Sequence, residues 1–456
     1  MSRILDILFK ALNKMPPSIS PADNADILLT LLFWKLMSAW SCGTASRRAS
    51  RHHLPETALA RITSRNLISF NHLNQYDACR WSKPQDALSA LHESLMNWIN
   101  AQPFPGLMHV VRPQRFAANG PYAHYFKHTA VLAEVMTLIG NINPQQDAPG
   151  LMIGEIFRQA LHTLPGLMPD HQPLSTQSAQ LLADLTQPLA VDTLYDPTCG
   201  TGQLLLTCLD TVAGPIPNHR LVLLGHEPDR RMFALASMRL LSEGISLFHI
   251  EQASALNRTS YSEARLTWEG ADVVMLRLAA QHEDWDNLPA PPTILQGTPI
   301  EVPQDMRLAL IWHGLNYLKK ETSRMAVVLP LSLLASSDGL ALRRYLVQQK
   351  HLAAIIELPG LAQQGQIMSV LMVRHHHASN QVAFINATPA GPGDIAASRH
   401  YDHEAILAAY QSSQSGKAAP WLRMIDDATL AEQEYSFHLA AYVNRLRETA
   451  RLDGRV

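Results

Sequence analysis

Leu194-Tyr195-Asp196-Pro197-Thr198-Cys199-Gly200-Thr201-Gly202 is the stretch whose reading decides the fold. Leu194 and Tyr195 read as the end of a buried strand, which Asp196 closes. Two glycines then turn the backbone, and Gln203 to Leu209 restarts as an apolar helix. Glycine lets a backbone approach a ligand closely, and a helix start offers unpaired N–H groups, so the three pieces together form a nucleotide-type pocket. The spacing is not the dinucleotide G-x-G-x-x-G, and it lacks the Lys-Ser/Thr of a P-loop.

Outward from this turn, short β-rich runs alternate with helical ones. Leu221–Leu224 precedes Arg230–Ser242, and Asp272–Leu276 precedes Met306–Lys320. Met325–Leu329 precedes Gly339–Gln349, and Ala353–Leu358 follows. That alternation predicts an α/β fold with a doubly wound, mostly parallel sheet. Met368–Arg374 and Gln381–Ile385 flank His375-His376-His377-Ala378-Ser379-Asn380 and are predicted to form a hairpin, its turn capped by the histidines. Asn386 to Ser398 is rich in Ala, Pro and Gly and marks a boundary, after which His403–Gln411 and Ala428–Arg447 read as helices.

Upstream, no strand signal appears before residue 190. Ile4, Leu5, Leu8, Phe9 and Leu12 recur at helical spacing, and Met15-Pro16-Pro17 ends that helix. A second helix from about Pro21 is apolar around most of its cylinder, and further helices are expected at 86–101, 126–140 and Pro149–Leu164. The expected organisation is a helical domain over 1–165, an α/β domain over 166–390 and a small helical C-terminal segment over 391–456.

Composition narrows the function classes. With 47% hydrophobic and 17% charged residues, the 456-residue chain is globular. A net charge of −2 excludes a global basic field, so any nucleic-acid contact depends on local patches or a partner. Arg47-Arg48-Ala49-Ser50-Arg51-His52-His53 is such a patch, read as a solvated loop. Cys42, Cys79, Cys199 and Cys208 form no CxxC pair and no metal-ligand spacing, so a reduced cytoplasmic protein without a metal is expected. The apolar run Ile27 to Met37 is too short to span a bilayer and contains Lys35.

Asp196-Pro197-Thr198-Cys199-Gly200-Thr201-Gly202 resembles motif I of S-adenosylmethionine-dependent adenine-N6 DNA methyltransferases. The wider order of features resembles the modification (HsdM-like) subunit of type I restriction–modification systems. Leu28 to Met37 resembles that family's early helix, and Ile153-Gly154-Glu155-Ile156-Phe157 its last helix before the catalytic domain. Pro173-Leu174-Ser175-Thr176 resembles motif X, with Gln177 where proline is usual. Met325–Pro330, Ala354–Pro359 and Gln381–Ala387 resemble later family strands. The resemblance implies a class I methyltransferase fold, partner subunits of specificity or nuclease type, and DNA contact through the complex.

It also implies a cofactor site. Gly200 and Gly202 admit the methionine part of S-adenosylmethionine, and Thr198 lies between them and Asp196, which accepts from its ammonium directly or through water. Glu227, at the end of the next strand, accepts from the ribose hydroxyls, as acids do in dinucleotide folds. Thr176 is a further candidate. Ser254 stands where the family places an Asp for the adenine amino group, and it lacks the charge.

The catalytic motif is where the resemblance fails. The family carries Asn/Asp-Pro-Pro-Tyr/Phe after the fourth strand, whose Asn and proline carbonyls accept from the adenine amine while the aromatic ring stacks on the flipped base. Here Arg277-Leu278-Ala279-Ala280 follows Asp272–Leu276. Guanidinium only donates, and Ala280 offers no stacking face. Nor has the motif slipped downstream: Asn287-Leu288-Pro289 lacks the second proline and the aromatic, and Glu283, Asp284 and Asp286 beside Trp285 would repel a phosphate backbone. Arg277 has two readings, a phosphate contact at the old active-site mouth or an ion pair with an acid such as Glu283. The expectation is a catalytically degenerate subunit with a structural or S-adenosylmethionine-sensing role in a restriction or phage-defence complex. Its alternatives are an active methyltransferase with a rearranged loop and a pure scaffold without cofactor.

Overall fold

The computed structural model describes residues 2–41, 87–100, 107–126, 130–149, 151, 153–164, 176–213, 221–245, 248–256, 270–278, 294–295, 298–299, 303–318, 321–358, 368–377, 379–386 and 401–442. Eleven strands lie in this set: β1 Thr193–Asp196, β2 Val222–His226, β3 Phe248–Glu251, β4 Val273–Arg277, β5 Ile294–Leu295, β6 Thr298–Pro299, β7 Arg324–Pro330, β8 Leu352–Leu358, β9 Met368–Arg374, β10 Gln381–Asn386 and β11 Leu422–Asp426. β5 and β6 form a small ribbon, and the other nine make one sheet in the order β11-β10-β8-β9-β7-β4-β1-β2-β3.

The pairs from β3 through β2, β1 and β4 to β7 are all parallel. Such strands are covered on both faces and read as unbroken apolar runs, which is why their sequences stood out. Their alternation splits the core in two. Val273, Met275, Ala326, Val328 and Ile356 face one layer, while Val274, Leu276, Met325, Val327 and Ile355 face the other. The first layer holds the helices Thr176–Thr186, Gln203–Ala213 and Arg230–Ser242, and the second holds Met306–Asn316 and Leu340–Gln348.

Two expectations are corrected. β9 does not form a hairpin with β10: it inserts antiparallel between β7 and β8, while β10 runs parallel to β8 on its far side. Val370 to Val373 are buried on both faces of the sheet, and only a central position satisfies both. The C-terminal segment is not helical alone. After the helix His403–Gln414, Leu422–Asp426 adds β11 as an antiparallel edge strand, and a helix of six residues, Asp427–Glu432, follows.

The N-terminal helices lie on the first layer. Pro21–Ser41 is buried almost all round and packs on Ile153–Thr163 and Arg230–Ser242, with Phe33 edge-on to Trp98 and Phe157. At this seam Arg158 reaches Glu243 (2.7 Å) and Asp210 (2.9 Å). Gly154 lies beneath Glu243: a Cβ there would sit 2.2 Å from the carboxyl carbon. Alanine inside a helix normally gains about 1 kcal/mol over glycine. Gly154→Ala is nevertheless expected to lower the thermal midpoint by a few degrees, because it drives Glu243 off Arg158. In a Glu243→Ala background the same change is expected to raise it, and melting curves of the four proteins test this non-additivity.

Among the described residues no helix is long and apolar enough to cross a membrane.

Candidate functional site

The carboxyl ends of β1, β2, β3 and β4 meet along one edge of the sheet, where ligands of doubly wound folds bind. Asp196 ends β1 and is 2% exposed. Its Oδ1 accepts from the Thr198 N–H (2.9 Å) and, at 3.4 Å, from the Thr198 hydroxyl. The chain then turns through Gly200 (φ 55°) and Gly202 (φ 74°), left-handed conformations that a side chain would strain. Around Gly200 the position a Cβ would take has no atom within 4 Å, so the turn opens onto free space. Cys199 N–H anchors the turn on the His226 carbonyl (3.0 Å), and Gly202 N–H closes it on the Cys199 carbonyl (2.8 Å).

Glu227 follows β2 and ties the pieces together. Oε2 accepts from the Gly200 N–H (3.0 Å), Oε1 from the Asp229 N–H (2.8 Å), and the Glu227 N–H donates to the Glu251 carbonyl (3.0 Å). Asp229 in turn caps the helix Arg230–Ser242 through the Met232 N–H (2.7 Å). Each carboxylate oxygen of Glu227 keeps a second lone pair, enough for a pair of hydroxyl donors. Burial raises both acids, Asp196 to about 7 and Glu227 to about 7, so the pocket holds two carboxyls poised to ionise near neutrality.

Of the residues expected in the site, Asp196, Thr198, Gly200, Gly202 and Glu227 come together. Ser254 lies in the turn after β3, half-buried, with its hydroxyl accepting from the Leu256 N–H (3.2 Å). Thr176 is exposed at the start of its helix; the two residues after it are tied instead to Tyr401, Gln177 donating to its carbonyl (3.3 Å) and Ser178 accepting from its hydroxyl (3.2 Å). Arg277 ends β4, half-buried, and burial holds its guanidinium pKa below the usual range. Among the described residues no ion pair engages it, while Glu283 lies outside them, as do Ala279 and Ala280. Leu278 is buried and its N–H donates to the Val328 carbonyl (2.8 Å).

The sequence reading missed two features. Beneath the pocket, the Tyr195 hydroxyl lies 3.1 Å from His226 Nδ1 and 2.6 Å from His313 Nε2, and His226 Nε2 lies 3.1 Å from Glu251 Oε2. This buried chain joins the ends of β1, β2 and β3 to the helix Met306–Asn316, and the His226 hydrogen bond holds the Glu251 carboxyl below its usual range. The placing of Tyr195 and His226 directly before the two acids was a visible signal; His313 offered none. The second feature is Gln203 Oε1 at the helix start, buried without a hydrogen-bond partner among the described residues.

The fold has relatives among solved structures. A type I restriction–modification methyltransferase subunit from Streptococcus thermophilus superposes with a TM-score of 0.67 at 17% identity, covering 96% of this chain and 98% of that one. A protein described as a modification subunit of a type I restriction enzyme from Vibrio vulnificus YJ016 gives 0.60 at 12%, covering 93% and 92%. A chain from a study of complex assembly and conformational transition of a type I R-M system gives 0.60 at 13%, covering 100% and 97%. At these identities the likeness is one of fold. No curated protein matches. The model of the N-6 DNA methylase family matches residues 175–450, from the start of the helix at Thr176 past the last described strand, and the chain belongs to that family.

Proposed function

We propose that this chain is a catalytically degenerate modification subunit that binds S-adenosylmethionine or its product without methylating adenine. One observation carries the reading: a cofactor-type cradle built on Gly200 and Glu227 stands beside Arg277 at the carboxyl end of β4. The donor set fits the cofactor. The space at Gly200 admits a ligand against the backbone, Glu227 offers lone pairs for vicinal hydroxyls, and Asp196 and Gln203 Oε1 are acceptors for an ammonium. When bound, S-adenosylmethionine supplies an electrophilic methyl group. An adenine amine needs an acceptor to orient it toward that methyl, and a guanidinium in its place only donates. Trp285 lies outside the described residues.

The partners proposed are subunits of specificity or nuclease type, with DNA bound through the assembly in a restriction or defence setting. Two observations support this. The near-neutral chain lacks a basic field of its own, and two structures it resembles in fold are called type I subunits. The chain should be expressed with its neighbouring partner genes in a host lacking other adenine methyltransferases. Genomic DNA is expected to carry no N6-methyladenine; its appearance at defined sites overturns the reading.

A further inference from the structure

We propose that Arg277 makes the pocket select S-adenosylhomocysteine over S-adenosylmethionine, so that the chain reports the state of the methyl donor. This rests on the cofactor reading above and goes beyond it by assigning the ligand form.

Successive side chains of a strand point to opposite faces. Val273 and Met275 face the layer of helices that contains Gln203–Ala213, and Arg277, two residues further, projects to the same side. Met275 fixes the level: its sulfur lies 3.2 Å from Cys208 Sγ. From Cys208 back to Gln203 the helix rises about 7.5 Å. From Met275 to Arg277 the strand advances about 6.6 Å. The helix runs back along the strands, so both steps go the same way. They bring the Arg277 backbone level with the first turn of the helix, near Gly202 and Gln203.

The charge there has two contributors of one sign, the guanidinium and the helix N-terminus. Burial lowers the Arg277 pKa, yet an arginine remains protonated at neutral pH. The two forms of the cofactor share carboxylate, ammonium, ribose and adenine. They differ in the methyl group and in one permanent charge, since the sulfonium is a cation and the thioether is neutral. Asp196 and Glu227 attract both forms through the shared groups. A cation at the turn penalises only the sulfonium. In a half-buried site of effective dielectric about 20, like charges roughly 6–12 Å apart are worth about ten- to hundredfold in affinity.

Calorimetric titration of the full chain with each ligand tests this. The wild-type protein is expected to bind S-adenosylhomocysteine at least tenfold more tightly than S-adenosylmethionine. Arg277→Gln is expected to bring the two affinities within about threefold, chiefly by tightening S-adenosylmethionine, while Arg277→Lys keeps the preference. Equal affinities in the wild type, or a ratio unchanged in Arg277→Gln, overturn the inference alone. No binding of either ligand at millimolar concentration overturns the cofactor reading and the inference with it.

Discussion

Lowering the pH from 8 to 6 is expected to weaken S-adenosylhomocysteine binding by about a hundredfold, with up to two protons released on binding near pH 6. Asp196 and Glu227 each titrate at about 7 in the free protein, raised by burial. Below that value both are protonated, and the ligand's ammonium and hydroxyl donors need the carboxylates. Each group therefore contributes about tenfold across this range. The sign for stability is the opposite. Carboxyls raised above their ordinary values favour the empty fold at low pH, and that contribution is lost as pH rises through about 7. The thermal midpoint of the free protein should accordingly fall between pH 5 and 8, and saturating ligand should reduce the fall. Glu227→Gln should halve the proton release and flatten the affinity profile. Glu227→Ala should weaken binding at pH 8 by a hundredfold or more, because the Gly200 and Asp229 N–H groups lose their acceptor along with the ligand. Titration in buffers of different ionisation enthalpy counts the protons; binding independent of pH between 6 and 8 contradicts the assignment.

Asp26→Ala is expected to cost about 3 kcal/mol of stability, at the low end for breaking a buried ion pair. Asp26 is 7% exposed and gathers three arginines: Arg231 Nε at 2.6 Å, Arg115 at 3.4 Å and Arg112 at 3.7 Å. Arg231 lies in the first turn of the helix that follows Glu227, while Asp26 lies in the helix Pro21–Ser41, Arg115 in the short 3-10 helix Pro113–Phe116 and Arg112 immediately before it. Arg231 also donates to the Ala22 carbonyl (3.1 Å), and Arg115 pairs with Asp23 (2.8 Å). Burial lowers the Arg112 pKa, and neighbouring Arg115 lowers it further. Removing the Asp26 carboxylate leaves these cations facing one another across the seam. The variant should melt several degrees lower and expose the seam to limited proteolysis. Arg231→Met in the same chain should recover part of the loss. A midpoint unchanged by Asp26→Ala contradicts the clamp.

The frame of the fold was legible because parallel strands buried on both faces leave unbroken apolar runs, as Val273 to Leu276 and Met325 to Leu329 do. The turn at Asp196–Gly202 was legible because only glycine takes φ values of 55° and 74° cheaply. Phe248–Glu251 escaped because four residues with exposed His249 carry too little periodicity. Leu422–Asp426 escaped because an edge strand with Arg423 exposed resembles a polar connection. The position of β9 could not be read from its neighbour in sequence: Arg374 and Gln381 are close along the chain, but the strand is fixed by partners at Met325 and Ile355. The same holds for the site. Its acids announced themselves at strand ends, whereas the Tyr195–His226–His313 chain and the arginines on Asp26 are set by contacts across tens to hundreds of residues.

The proposed pocket binds the methyl donor without using it. Equilibrium dialysis of methyl-tritiated S-adenosylmethionine against the complete complex, with duplex DNA present, tests both halves at once. Label retained stoichiometrically with the protein, and none incorporated in the DNA, is the predicted result. Tritium transferred to adenine, or no retention at millimolar ligand, would contradict it.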